Sequence, residues 1–298
     1  MKRLTRILVA VFLILSVSSS SLTFDKISIE NYSKSESLAF NTTQKSTTRN
    51  IKNIAVFIEF SDSDTNVVNH LDDEQSVNNA NLIYNSDTLF LMDSVKGIIS
   101  VPSFKKYFER ESYGKLSITT EIFPKVDGKV VSYQDTHPIG YYLKQNEGNP
   151  IGYKDKNEGA NREKELINNA VRYIKNQVVA SGITASDLDT DGDNKIDAIS
   201  FIIEGQKKLP SSIAWGDILW SHESSNTGIT EQILGKDVNA YTLLRADDYT
   251  EVASLFSLNH GGYGTIIHEF GHVLGFRDLY RYGNSNSKPV GFYDIMGN

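Results

Sequence analysis

His268-Glu269-Phe270-Gly271-His272-Val273-Leu274-Gly275-Phe276-Arg277-Asp278 spells HExxHxxGxxD near the end of a chain of 298 residues. On a helix, His268 and His272 stand four residues apart, so both imidazoles project from one face and can share a single zinc ion. Glu269 lies one step round the cylinder, where its carboxylate can take a proton from a water activated by that metal. Gly275 offers the left-handed residue that an abruptly ending helix wants, after which the chain can return with Asp278 as third ligand. The chemistry implied is hydrolysis. A bare HExxH arises by chance in roughly one chain of this size in a hundred, and Gly275 with Asp278 lowers that rate by about two further orders of magnitude. Reading the two histidines as ordinary surface-helix residues fares worse. Gly261, Gly262, Gly264 and Gly275 flank the segment, as tight turns flank an embedded helix.

Two classes of zinc hydrolase share HExxH. In one the third ligand is a Glu about twenty or more residues downstream; in the other it is a His or Asp at the sixth position after the second His. No Glu occurs between Val273 and Asn298, Asp278 stands at the short spacing, and Met296 follows inside Tyr293-Asp294-Ile295-Met296-Gly297, a candidate Met-turn. The second class, the metzincin arrangement, is favoured, and a Glu beyond Asn298 stays open as the alternative.

On these residues the chain resembles the immune-inhibitor-A-like secreted metallopeptidases, a metzincin-type family with HExxHxxGxxD and a D-x-M-G-like turn. Phe104-Lys105-Lys106-Tyr107-Phe108 through Ser112-Tyr113-Gly114-Lys115-Leu116 is similar to the family's aromatic helix leading into SYGKL. Asp189 to Gly205, an acidic loop running into a strand, and Leu219-Trp220-Ser221-His222 are similar landmarks in the same order, over residues 51 to 298. The resemblance implies that His268, His272 and Asp278 bind zinc, that Glu269 is the base and that Met296 underlies the metal. It also implies further residues after the Met-turn, so a domain truncated there is expected.

The rest of the sequence must position this constellation. A hydrophobic content of 39% with 22% charged residues is ordinary for a soluble globular protein with a sizeable core. Lys2, Arg3 and Arg6 precede an apolar run from Ile7 to Val17 and a small-residue stretch, which reads as a secretory signal peptide over 1–21 and predicts export. That run falls well short of the ~20 residues a membrane span needs. The absence of cysteine removes disulfides and thiol catalysis and leaves zinc to N and O ligands. Thirty basic against 37 acidic residues give a net charge of −7, which disfavours nucleic acid and suits divalent cations and protein or peptide substrates. Residues 22–50 read as a linker or short pro-segment, and 51–298 as the catalytic domain.

Within that domain, Ile54 to Phe60 reads as a buried strand, Leu116 to Phe123 as another and Lys129 to Tyr133 as a shorter one after a turn at Asp127-Gly128. Residues 67–100 are ambiguous. Ser103 looks like the cap of a helix ending before Gly114, with Phe104, Tyr107 and Phe108 as a core stripe. Gln134 to Asn161 reads as loop, and Arg162 to Val179 as the clearest helix, backing the sheet. The expected class is α/β (α+β): a metzincin-like mixed twisted sheet with a backing helix and a zinc-binding helix.

A second constellation, Asp187 to Asp197, repeats oxygen donors at every second residue. Asp189, Asp191 and Asp193, the Lys195 carbonyl and Asp197 could wrap a calcium ion, although no bidentate Glu stands at the twelfth position of an EF-hand. Carboxylates so crowded would repel one another without a counter-ion. An Asx-rich soluble turn is the plainer alternative. His70 and His137 read as solvated surface, His260 as loop, and His222 as packing or support near the cleft. The function expected is zinc-dependent endopeptidase. The alternatives are a secreted calcium-stabilised binding factor with an incomplete, inactive domain, and a zinc hydrolase of non-peptide bonds.

Overall fold

Ile54-Ala55-Val56-Phe57-Ile58 is apolar at every position, a run that suits a strand covered on both faces. The computed structural model describes residues 48–63, 71–93, 97–204, 219–225, 228–245, 262–280, 290 and 294–297. The leader at 1–21, the expected linker up to residue 47, His70, His260, Gly261 and Tyr293 lie outside the described residues. In chain order the elements are β1 (Arg49–Glu59), α1 (Glu74–Asn85), β2 (Thr88–Asp93), β3 (Gly97–Pro102), α2 (Phe104–Glu111), β4 (Leu116–Phe123), β5 (Lys125–Val126), β6 (Lys129–Val130), β7 (Tyr133–Gln134), α3 (Lys156–Ala180), α4 (Ala185–Leu188), β8 (Ile199–Ile203), β9 (His222–Ser225), β10 (Gln232–Ile233), β11 (Lys236–Asp237), β12 (Ala240–Arg245) and α5 (Gly262–Val273).

The main sheet has the order β4-β1-β8-β12-β9, with β7 added beside β1. Every pairing in it is parallel except that of β12 with β9. Strand alternation divides the core in two. Ile54, Val56, Ile58, Phe201, Ile203, Tyr241 and Leu243 pack with Leu166, Ile167, Ala170, Val171, Ile174 and Val178 of α3. Ala55, Phe57, Ile202 and Leu244 pack on the other face with Ile83 of α1, Phe104 and Phe108 of α2, and Ile266, Ile267 and Phe270 of α5. Helices thus cover both faces of a mixed, mostly parallel sheet, an α/β architecture. A buried polar row fixes the register: Asn53 Nδ2 donates to Thr120 Oγ1 at 3.3 Å, Ser200 Oγ to Asn53 Oδ1 at 3.2 Å and Thr242 Oγ1 to Ser200 Oγ at 2.8 Å. A slip of one residue would turn these polar groups into an apolar layer.

Three expectations need correction. The backing helix starts at Lys156, not Arg162, with the Asp155 carboxylate accepting from Asn157 N–H at 2.9 Å and Glu158 N–H at 3.0 Å. Gly159 lies inside this helix, where a Cβ would stand 3.2 Å from the Tyr153 ring; the glycine permits that close packing. The ambiguous stretch resolves into α1, capped by Asp73, and the antiparallel pair β2/β3. The strand expected at Lys129 to Tyr133 is two separate two-residue pieces, β6 and β7. β1 begins at Arg49, two residues inside the expected linker. Among the described residues no helix is long and apolar enough to cross a membrane.

Phe270, between the two motif histidines, anchors α5 to the core, its ring centroid 4.8 Å from that of Phe104 and 5.3 Å from that of Phe108. Phe270→Ala should lower the unfolding free energy by ~3–5 kcal/mol. Urea denaturation in the presence of a chelator measures it, and a midpoint equal to the wild type's would mean that α5 is not held through this ring.

Candidate metal centre

α5 carries His268, Glu269 and His272 and ends at Gly275, whose φ of +90° lies in the left-handed region. Phe276 N–H bonds Gly271 O at 2.9 Å and Gly275 N–H bonds His272 O at 2.8 Å, the paired bonds of a Schellman ending. This reversal brings Asp278 back to the helix. Its Oδ1 lies 3.2 Å from His268 Nε2 and 3.3 Å from His272 Nε2, and the two Nε2 atoms are 3.2 Å apart. Three ligand atoms therefore form a nearly equilateral triangle. Donors held 2.0–2.1 Å from a tetrahedral zinc stand roughly 3.3 Å from one another, so the residues fit that metal.

The bonding of the other ring nitrogens sharpens the fit. His268 Nδ1 is 2.9 Å from Ile295 O and His272 Nδ1 is 2.8 Å from Phe276 O. A carbonyl can only accept, so each Nδ1 carries a proton and Nε2 is the nitrogen turned toward the triangle. Ile295 belongs to the 3₁₀ turn Ile295–Gly297, which is tied back when Leu279 N–H donates to Met296 O at 2.7 Å. Met296 is buried beneath the helix against Gly271, where an added Cβ would lie 2.8 Å from its Sδ.

Glu269 is buried, and its Oε2 accepts the Glu223 backbone N–H at 2.8 Å from the edge strand β9. Burial raises its carboxyl above the ordinary glutamate range, against the opposing influence of His268 and His272. Glu223 itself is half-buried, and burial pushes its carboxyl up as well. One residue back, His222 Nε2 lies 3.0 Å from Glu163 Oε1 on α3, which also accepts the Tyr241 hydroxyl at 2.7 Å. Glu163, Glu223, Tyr241 and Gly271 were missed in the sequence. Gly271 lies inside the motif and Glu223 follows a recognised landmark, but nothing local links Glu163 to a histidine 59 residues away.

In the acidic loop, carboxylate oxygens of Asp189, Asp191 and Asp193 lie within 4.8 Å of one another. Asp197 is not in this group: its carboxylate accepts from Thr190 N–H and hydroxyl and from Arg49, whose guanidinium is 2.7 Å away. Arg49 also reaches Asp191 at 3.1 Å, Lys195 reaches Asp193 at 3.2 Å, and the Lys236 ammonium lies 2.7 Å from Asp189 Oδ2. The repulsion expected among these carboxylates is thus offset by the chain's own cations. His137 also departs from expectation. It is half-buried and stacks on Tyr141, centroids 4.1 Å apart, with Nδ1 3.2 Å from Asp135 Oδ2. Asp135 is buried and gathers donors, including the hydroxyls of Tyr133 at 3.0 Å and Tyr142 at 2.7 Å.

A family model described as the immune inhibitor A peptidase M6 catalytic domain matches residues 39–298. No curated protein matches the chain. Among solved structures, wild-type OgpA from Akkermansia muciniphila is similar at 13% identity and a TM-score of 0.35, over 78% of this chain and 50% of that one. The chain therefore spans half the length of that solved chain.

The packing of Gly271 on Met296 generates a testable expectation. Gly271→Ala should destabilise the protein by ~1–3 kcal/mol, and most of that cost should vanish in a Met296→Ala background, where room has been made. Urea denaturation of the four proteins closes the cycle; equal costs in both backgrounds would contradict a steric contact.

Proposed function

The chain belongs to the immune inhibitor A peptidase family, and from that footing we propose that it is a secreted, zinc-dependent endopeptidase of the metzincin type. The donor triangle of His268, His272 and Asp278 carries the reading, since its edges suit a tetrahedral zinc ion. Bound there, zinc would polarise the scissile carbonyl and lower the pKa of a coordinated water toward ~7. Glu269 takes the proton from the attacking water and returns it to the leaving amine. Its burial makes it a stronger base than a solvated glutamate, and the Glu223 amide holds one oxygen so that the other serves the proton. Ile295 O and Phe276 O keep both imidazoles in the tautomer a metal requires. Met296 supports the helix from below. Export rests on the pattern of residues 2–21. Among the described residues nothing favours the rival reading of an inactive binding factor.

Glu269→Gln should retain stoichiometric zinc by elemental analysis while peptide hydrolysis falls by roughly 10²–10⁴. His272→Ala should lose both metal and activity. Casein cleavage by Glu269→Gln at the wild-type rate would overturn the assignment.

Calcium is the guest we propose for Asp189, Asp191 and Asp193, in competition with the Lys236 ammonium for Asp189. Lys236→Met should accordingly bind calcium about tenfold more tightly than the wild type in calorimetric titration, as removal of a competing cation predicts. Absence of calcium heat from both proteins would leave the loop as an ion-paired turn.

A further inference from the structure

We infer that the partly buried pair of His222 and Glu163 is a positioning device for the base Glu269: it fixes the edge strand β9 so that the next amide, Glu223 N–H, clamps the Glu269 carboxylate. This rests on the endopeptidase reading, in which Glu269 moves the proton.

The geometry assigns protons to both nitrogens of His222. Nδ1 is 2.9 Å from Trp220 O, which can only accept, and Nε2 is 3.0 Å from the Glu163 carboxylate, which already accepts the Tyr241 hydroxyl. A ring that donates from both nitrogens is an imidazolium. Burial alone would depress it, but the hydrogen bond and charge of Glu163, with the Trp220 carbonyl, outweigh burial and lift His222 to about 9. Burial likewise works against the Glu163 carboxylate, yet its bonds to His222 and Tyr241 hold it below the ordinary range.

Sheet alternation links this pair to the site. His222 faces α3 and Tyr241, so Glu223 faces the opposite side, where α5 packs and the charge of His272 acts on it. β9 is four residues long and its only sheet neighbour among the described residues is β12. So short an edge strand holds its place weakly by backbone bonds alone. The ion pair to α3 supplies a second attachment, one residue from the amide that meets Glu269 at 2.8 Å. The ionisable groups that act on His222 are Glu163 from α3 and Tyr241 from β12 on its own side, with the charges of Glu269 on α5 and Glu223 on β9 reaching it from the other side of the sheet. A histidine raised in the fold contributes stability that is complete below the ordinary value near 6.5 and is lost as pH climbs through about 9. Attachment of β9 should weaken over that window.

The test uses the full chain and three readouts. In zinc-free wild type at pH 7, ¹⁵N imidazole NMR should give His222 two N–H protons and an imidazolium shift that disappears near pH 9. Glu163→Gln should make the ring neutral at pH 7, and the Glu223 amide should lose protection from hydrogen exchange relative to Leu243 on β12. In zinc-loaded protein, Glu163→Gln should lower kcat roughly ten- to a hundredfold with KM and zinc content unchanged, the scale of a displaced catalytic group. Glu163→Asp should recover part of the loss. If Glu163→Gln does not fold, the wild type alone decides, through Glu223 protection relative to Leu243 on either side of pH 9. A neutral wild-type His222 at pH 7 overturns the ion pair. A charged ring with Glu223 protection indifferent to Glu163→Gln, or to passage through pH 9, overturns the positioning role. A zinc-loaded wild type that cleaves no peptide sinks the endopeptidase reading instead, while amide exchange still judges the pair.

Discussion

His268 Nε2, His272 Nε2 and Asp278 Oδ1 meet within 3.2–3.3 Å of one another. Both Nδ1 protons are committed to carbonyls, so with neutral rings every atom at the corner of the triangle is an acceptor. Like-signed donors at that spacing repel, and the repulsion grows as water is excluded. Only a cation shared among them reverses the sign. On the proposed zinc reading, the folding of this corner and the binding of the ion are coupled, so a chelator acts on stability as well as on chemistry.

What holds the corner together is mostly backbone. Gly275 reverses the chain so that Phe276 O meets one histidine and Asp278 comes back to both. The turn at Ile295–Gly297 offers Ile295 O to the other histidine and Met296 to the gap left by Gly271. Phe270, pointing the opposite way, packs into the aromatic cluster with Phe104 and Phe108 and fixes the rotation of the helix. Each of these contacts sets an orientation rather than adding a ligand, which is the work that outer groups do around a metal. The two core layers meet at the sheet between them, so a shift of β9 or β12 is felt on both sides.

The sequence carried the local part of this in full view. HExxH at helical spacing, Gly275 and Asp278 are separated by fixed short offsets, and short offsets on a helix and its turn convert directly into distances. The continuous apolar run of β1 likewise announced a strand covered on both faces. The first turns of α3 were hidden because the stretch up to Asn161 shows no period, and a glycine that lets Tyr153 approach closely looks the same in sequence as one in a loop. The counter-ions of the acidic loop were hidden for a different reason: Arg49 and Lys236 come from β1 and β11, and only the fold brings them near. His137 read as solvated because the buried Asp135 that recruits it has no sequence mark of burial. Long-range charge pairing was invisible in every case.

The same blindness bears on the base. From the motif alone, Glu269 is a carboxylate on the helix carrying the zinc ligands, positioned by that helix. In the fold, however, one of its oxygens is held by an amide from the sheet edge, so its aim depends on where β9 sits. A buried carboxylate that serves as a base has to be desolvated enough to be reactive and still restrained in direction. Desolvation comes from α5 and its packing, and restraint comes from the edge strand β9. The strand is in turn tied to α3 and to Tyr241 of β12 by way of Glu163. The direction of the proposed base is thus set by the assembled sheet, and the motif supplies only the atom to be directed.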